Sequence, residues 1–270
     1  MKIISFNING LRARLHQLEA IIDRHQPDII GLQETKVDDP QFPLSDLERF
    51  GYNISYFGQK AHYGVALLSK LPVVNVVKGF EAEEEAAQKR FIACEVMLGA
   101  RSIWVCNGYF PQGESRGHPI KFPNKKLFYR NITDFVKAKL ACDSSLVLMG
   151  DMNVALHESD IGIGEDNAKR WLRDGKCSFL PEEREWLQAL LNVGLVDSYL
   201  KHTTDEKKLS WFDYRSRAFE AAPRRGLRID LILVSENLID ATHSVGIDYD
   251  IRSMERPSDH CPLWWEMSGS

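Results

Sequence analysis

The sequence predicts an α/β fold in which mixed β-sheets lie beneath outer helices. Three observations predict it. Short apolar runs alternate with segments whose apolar residues recur at helical spacing. Many of the runs are apolar at consecutive positions, as strands covered on both faces are. One of them, Leu146-Val147-Leu148-Met149, stops abruptly at Gly150-Asp151-Met152-Asn153, so a buried strand delivers an acid and an amide to one sheet end.

The elements follow in order. Ile3-Ile4-Ser5-Phe6 is a strand leading to Asn7 and Asn9. Leu11, Leu15, Leu18 and Ile22 recur as on a helix, which Pro27 closes. Ile29-Ile30-Gly31-Leu32 leads to Gln33 and Glu34. Strands are expected at 52–56, 65–69, 73–77, 91–97 and 103–107. Those at 65–69 and 73–77, with Pro72 between them, read as antiparallel neighbours. Asn124 is expected to cap a helix whose apolar side is Phe128, Ile132, Phe135 and Leu140. Pro181-Glu182-Glu183 opens another, burying Trp186, Leu187, Leu190 and Leu191, with Gly194 past its end. The runs at 229–234 and 262–265 complete the strands.

The acid-rich segment 81–85 reads as a solvated loop or helix start. Polar stretches at 114–126, 160–176 and 203–228 read as surface insertions, where binding usually resides. With no Pro-, Gly- or Ser-rich linker, residues 1–268 are expected to form one domain, followed by a tail at 269–270. The strand-then-Asn layout shared by the N-terminal and Asp151 regions hints at two similar halves.

A hydrophobic fraction of 44% and a charged fraction of 27% fit a globular protein. The net charge of −4 does not announce a nucleic-acid binder, so any such role must come from a local patch. No apolar run approaches the roughly 18 residues of a membrane span, so no membrane association is expected. The five cysteines are widely spaced without a Cys-x-x-Cys pair, and the N-terminus opens directly on a strand pattern. Both features predict reduced structural thiols in a cytoplasmic protein. Nothing in the sequence demands more than a monomer.

The candidate chemistry lies at the strand ends. Glu34 alone is an ordinary surface acid. Asn7, Asp151, Asn153 and Asp259 at equivalent strand ends change that reading, because magnesium prefers oxygen ligands. Zinc-type Cys and His spacing is absent. On an extended segment Asp151 and Asn153 would point the same way. The acid could then position or deprotonate water while the amide donates to a phosphate oxygen. The plainer alternative is an Asx turn. Asp230 could hydrogen-bond His260, fixing its tautomer and favouring the cation that contacts phosphate. Ser258-Asp259-His260 is no acyl-transfer triad, because consecutive residues cannot all face one substrate and no Gly-x-Ser-x-Gly elbow exists. The Tyr109 hydroxyl could donate to a phosphate oxygen or supply a proton.

Three cationic clusters interleave with aromatics. They are Lys121, Lys125 and Lys126 with Phe122; Lys169, Arg170, Arg173 and Lys176 with Trp171; and Arg215, Arg217, Arg224, Arg225 and Arg228 after Trp211, Phe212 and Tyr214. Such clusters can track a phosphate backbone and stack on bases.

Motifs along nearly the whole chain resemble the exonuclease III family of apurinic/apyrimidinic endonucleases, within the endonuclease/exonuclease/phosphatase superfamily. They include Ser5-Phe6-Asn7-Ile8-Asn9-Gly10-Leu11-Arg12-Ala13, Leu32-Gln33-Glu34-Thr35-Lys36 and Asn107-Gly108-Tyr109-Phe110-Pro111-Gln112-Gly113-Glu114. Others are Met149-Gly150-Asp151-Met152-Asn153, Ser210-Trp211-Phe212-Asp213-Tyr214-Arg215-Ser216, Gly226-Leu227-Arg228-Ile229-Asp230 and Pro257-Ser258-Asp259-His260.

The resemblance implies a four-layer α/β sandwich, two packed mixed β-sheets flanked by helices. It implies magnesium-dependent cleavage 5′ of abasic sites in double-stranded DNA, with manganese as a substitute, and 3′→5′ exonuclease and 3′-phosphatase action on blocked 3′ ends. Glu34 would be the chief metal ligand, with Asn7 and Asp259 near it. Asp151 would orient or deprotonate water, and Asn153 would hold it and the phosphate. Tyr109 and the Asp230–His260 pair would bind phosphate. Trp211, Phe212 and Leu227 would shape the abasic pocket, and Arg90, Gln112 and Lys121 would contact DNA. The chain departs from the family at Asn9, where some relatives carry Asp, and in the 218–224 linker. A phosphodiesterase of the same superfamily acting on lipid or inositol phosphates fits the cation–aromatic clusters less well, and an inactive scaffold would be free to lose the polar set.

Overall fold

The unbroken apolar runs are strands covered on both faces. The computed structural model describes residues 1–81, 87–142, 144–203 and 208–268. In chain order the elements are β1 (Lys2–Asn7), α1 (Leu15–His25), β2 (Ile29–Gln33), α2 (Leu44–Glu48), β3 (Asn53–Phe57), β4 (Val65–Ser69), β5 (Val73–Lys78), β6 (Phe91–Leu98), β7 (Arg101–Tyr109) and α3 (Lys121–Leu140). There follow β8 (Ser145–Asp151), α4 (Glu165–Arg173), α5 (Pro181–Leu191), β9 (Leu195–Asp197), α6 (Ser198–His202), β10 (Asp230–Ser235), α7 (Glu236–Ile239), β11 (Thr242–Ile247), α8 (Tyr249–Arg252) and β12 (Leu263–Met267).

Two six-stranded sheets result, ordered β11-β12-β1-β2-β4-β3 and β5-β6-β7-β8-β10-β9. Each is mixed, with one parallel pair at its centre: β1 with β2, and β7 with β8. The parallel pairs correspond, so β1 answers to β7 and not, as the strand-then-Asn layout hinted, to the strand β8 that ends at Asp151.

Side chains alternate between layers at the two-residue period of a strand. Val147 and Met149 face the other sheet and join Ile3, Ile29, Val65 and Ile232 in the central core. Leu146 and Leu148 face outward onto Phe128 and Ile132 of α3 and Leu187 and Leu190 of α5. On the other side, Ile4 and Ile30 meet Leu18 and Ile21 of α1 and Ile251 of α8. Helix, sheet, sheet, helix is the four-layer sandwich. At Gly31 the Met149 side chain of the other sheet packs onto the backbone, so that an added Cβ would lie 2.7 Å from Met149 Sδ.

Four expectations need correction. β4 and β5 are not neighbours: β4 pairs with β2 and β3, while β5 pairs with β6 in the other sheet. The turn at Pro72 is therefore a crossing between sheets. Asn124 does not cap α3, which begins at Lys121. The His118 Nδ1 atom accepts from the N–H groups of Ile120 and Lys121 instead, at 3.2 and 3.1 Å. Pro123 is tolerated because first-turn N–H groups have no partner within the helix. The polar stretch 160–176 contains a helix, α4, with Glu165 and Asp166 in its first turn and Arg170 and Arg173 in its last. Trp186 and Leu191 of α5 are partly rather than fully buried.

Of the acid-rich segment, all but Glu81 lies outside the described residues, as does the tail 269–270. The five cysteines are free thiols, and all but Cys142 are buried. Among the described residues no helix is long and apolar enough to cross a membrane.

Candidate active site

Strand ends from both sheets open on one cleft of about 660 Å³. Glu34, Asp151 and Asp259 all line it, with Tyr109, Asn153 and His260. Gln112, Trp211 and Leu227 contribute further lining, and Asn167, Arg170, Trp171, Lys176, Arg215 and Arg225 complete a cationic, aromatic side.

Glu34 is the first residue beyond β2 and turns with φ +57°. The backbone is held there by Thr35 N–H to Gly64 O and Lys36 N–H to Tyr63 O, at 3.1 and 2.9 Å. Glu34 Oε1 lies 3.0 Å from Lys36 Nζ, which also donates to Asn9 Oδ1 at 2.5 Å. Asn9 Nδ2 donates to Asp259 Oδ1 at 2.8 Å, and the Trp211 indole donates to Asp259 Oδ2 at 3.0 Å. Burial works against ionisation of Asp259, but the His260 charge and these two donors outweigh it and lower its pKa.

Asp151 ends β8 and is 2% exposed. Asn7 Nδ2 donates to its Oδ2 at 3.0 Å, Asn153 Nδ2 to the same oxygen at 3.2 Å, and the Asn153 backbone N–H to its Oδ1 at 3.0 Å. Burial raises its pKa strongly, and the neighbouring Asp230 adds to the shift. Asn153 does not alternate with Asp151 along an extended chain. It turns with φ +52°, so the Asx turn and the convergence of the two side chains are one structure.

His260 Nδ1 lies 2.8 and 3.0 Å from the two Asp230 oxygens, leaving Nε2 facing Asp151 Oδ2 at 3.7 Å. Burial disfavours the imidazolium, but Asp230, Asp151 and Asp259 together overcome this and raise the His260 pKa. Ser210 Oγ donates to Asp230 Oδ2 at 2.6 Å and fixes the pair from behind. Tyr109 ends β7; burial first, then Glu34 and Asp151, hold its phenol well above the ordinary value, so it remains a donor.

Ligating atoms of Asp151, Asp230 and His260 lie within 4.8 Å of one another. The Asp230–His260 hydrogen bond occupies that trio internally. The carboxylates of Glu34 and Asp259, with the oxygens of Asn7, Asp151 and Asn153, make a donor set without thiolate, suited to a hard divalent cation. The Lys36 ammonium between Glu34 and Asn9 marks where positive charge is already favoured.

The remaining predicted residues spread out. Asn7 and Asp230 are buried behind Asp151 and His260. Arg90 is 8% exposed, stacked over Tyr63 and Tyr109 at 4.1 and 4.6 Å, and donates to the Tyr109 carbonyl. Phe212 is fully buried against Phe219 and Tyr249 and does not itself line the cleft. Lys121 is exposed and paired with Glu114 at 2.6 Å. Lys125 and Arg228, read as members of surface clusters, are instead buried in ion pairs with Glu183 and with Asp160 and Asp197. Sequence reading missed Lys36 and Ser210 as partners in the site. Their signal is membership of the motifs that carry the resemblance, two residues past Glu34 and one before Trp211.

The family model described as the endonuclease/exonuclease/phosphatase family matches residues 4–260. The chain is 54% identical over 267 residues to exodeoxyribonuclease III of Haemophilus influenzae, covering 98% of this chain and 99% of that protein. Among solved structures, it is similar to the 3′ phosphatase NExo from Neisseria bound to product DNA hairpin, with a TM-score of 0.90, 35% identity and 99% coverage of each chain. An AP endonuclease from Archaeoglobus fulgidus matches with a TM-score of 0.88 and 30% identity, again over 99% of each chain. With the family model spanning nearly its whole length and its strand ends gathered on one cleft, the chain belongs to the endonuclease/exonuclease/phosphatase family.

Proposed function

We propose that this protein is a metal-dependent DNA-repair nuclease. It cleaves duplex DNA on the 5′ side of abasic sites and works on 3′ ends as a 3′→5′ exonuclease and 3′-phosphatase or 3′-phosphodiesterase. The observation that carries this reading is the meeting of Glu34, Asp151 and Asp259 with the Asp230–His260 pair on one cleft. The names of the relatives, an exodeoxyribonuclease III, a 3′ phosphatase and an AP endonuclease, support the same set of reactions.

Glu34 and Asp259, with Asn7, Asp151 and Asn153 nearby, would hold magnesium, or manganese in its place. Such an ion supplies charge neutralisation at the scissile phosphate. The chain's own residues do the rest. Asp151, fixed by Asn7 and Asn153, orients a water and takes its proton. Water oxygen bonds to phosphorus as the bond from phosphorus to the 3′ oxygen breaks. The cationic His260 donates to the phosphoryl oxygens, Asp230 keeps it oriented and charged, and the Asn153 amide holds Asp151 in place. The Tyr109 phenol donates to phosphate. Trp211 and Leu227, packed on each other, shape the space for the baseless sugar. Gln112 and the exposed cations of the cleft, with Lys121 farther out, follow the phosphate backbone, and Arg90 acts from beneath Tyr109. Positioning and charge stabilisation, not covalent catalysis, are what this reaction needs.

The same reading makes residues 1–268 one domain, since the site draws on both sheets. It acts as a monomer in the cytoplasm, where bacterial chromosomal DNA lies.

The test is a labelled abasic duplex and an intact recessed-end duplex, each incubated with magnesium or with EDTA. Nicking 5′ of the abasic site and 3′-end trimming are expected with magnesium alone. Glu34→Ala and Asp151→Ala should each lower both by a hundredfold or more, roughly the scale of a lost catalytic group. Unchanged abasic cleavage in either variant refutes the assignment.

A further inference from the structure

Beneath the cleft lies an ion pair that the proposed chemistry does not use. Lys125 of α3 and Glu183 of α5 are both fully buried, with Nζ 2.5 Å from Oε1. The ammonium also donates to the Asn153 carbonyl at 2.9 Å and to the Gln112 carbonyl at 3.3 Å. The other carboxylate oxygen, Glu183 Oε2, accepts from the Ser178 and Leu180 N–H groups, both at 2.8 Å. Asn153, Gln112 and Ser178 all line the cleft. One buried pair therefore grips three cleft-lining residues by their backbones.

We infer that Lys125 and Glu183 are positioning residues that set the geometry of Asn153, and through it of Asp151. Asn153 holds the left-handed φ of +52°, which Asn adopts more readily than other side-chain-bearing residues but still at a cost that its surroundings offset. It is fixed at both ends: its N–H donates to Asp151 Oδ1, and its carbonyl accepts from Lys125. In that conformation Nδ2 reaches both Asp151 Oδ2 and the Phe110 carbonyl. Without the ammonium, the Asn153 carbonyl is buried with no donor, and the peptide is free to turn. Gly113 allows the approach, because an added Cβ would lie 3.0 Å from Lys125 Cδ and 2.9 Å from Cys177 Sγ. Hydrophobic replacement of a buried ion pair is often neutral for stability, so stability alone does not require charges here.

The inference rests on the nuclease reading for its kinetic test, and a structural readout keeps the two separable. Lys125→Met leaves Glu183 charged and unpaired, so its Tm should fall steeply. The double variant Lys125→Met/Glu183→Gln removes that charge and keeps an acceptor for Ser178 and Leu180. Its Tm should recover towards that of the unaltered protein. Its kcat on abasic duplex should nonetheless stay about tenfold or more below normal, with KM within about twofold, because a small displacement of a positioned group costs this much. The side-chain amide signals of Asn153, assigned by their loss in Asn153→Asp, should shift in the double variant in NMR spectra of the DNA-free protein. Recovery of kcat together with Tm, or unmoved Asn153 signals, overturns the inference. Absence of abasic cleavage by the unaltered protein counts against the nuclease reading alone, and the Asn153 signals then decide.

Discussion

Gln33 and Asn107 join the two sheets through the centre of the molecule: Gln33 Nε2 donates to Asn107 Oδ1 at 2.7 Å, and both residues are fully buried. Asn107 Nδ2 in turn donates to the carbonyls of Leu32 and Ala66, each at 2.9 Å. Gln33 precedes Glu34, and Asn107 lies two residues before Tyr109. This crosslink therefore sets how the acid of one sheet meets the phenol and acid of the other. Asn107→Leu removes two donors and one acceptor from the buried core. It should destabilise the protein by about 2–6 kcal/mol, since the Leu32 and Ala66 carbonyls left unpaired each cost roughly 1–3 kcal/mol. Urea unfolding would measure it; a loss near zero would mean that the sheets are registered by packing alone.

The Asp230–His260 pair makes a kinetic prediction. Asp230→Asn keeps the shape but removes the charge that holds His260 cationic. Abasic cleavage at neutral pH should fall about a hundredfold, the lower range for a lost acid–base group, while DNA affinity changes only slightly. Equal losses in rate and affinity would mean that the pair serves binding.

A second acid far from the cleft predicts pH-dependent stability. Asp248 is 5% exposed and accepts from Arg24 Nη1 at 3.0 Å and His25 Nε2 at 2.8 Å. Burial opposes its charge, but hydrogen bonds from His25 and the Ile251 N–H, with the Arg24 charge, hold its pKa down at about 2. The folded value lies below the unfolded one of roughly 3.9. The stabilisation is thus complete above pH ~4 and disappears as pH falls through the folded value. Asp248→Asn should cost about 1–2 kcal/mol at pH 7, an exposed Arg24 partner moderating the effect. Thermal melts from pH 7 down to about 2 should show this deficit shrinking; a constant deficit would contradict the linkage.

Gly31 tests the spacing of the sheets. Its Cβ position lies 2.7 Å from Met149 Sδ, so Gly31→Ala should cost about 1–3 kcal/mol, as overpacked cores do. Adding Met149→Ala should destabilise less than the sum of the two single changes, because the alanine methyl then fills vacated space. Simple additivity in chemical denaturation would show that the clash is relieved elsewhere.

The inner strands were legible because the sandwich covers both their faces. Leu146 to Met149 supply two cores at once, so the run is apolar at every position. The same reason makes the strand ends stand out, since Glu34, Asp151 and Asn153 break runs that otherwise exclude polar groups. β9 and β11 were not legible. One is three residues long, and the other is an edge strand bearing the polar Thr242, His243 and Ser244.

What the sequence determined by itself was therefore the layered plan and the identity of the polar groups at the strand ends, because local burial pattern is written residue by residue. Which sheet each strand joins, how Asn153 turns back onto Asp151, and whether a cation is solvated or buried were decided only in three dimensions. Lys125 and Lys126 are neighbours of the same type, yet one is fully buried against Glu183 and the other exposed. The difference depends on a partner 58 residues away. Charge pairing over such distances is a property of the packed chain, and no local pattern records it.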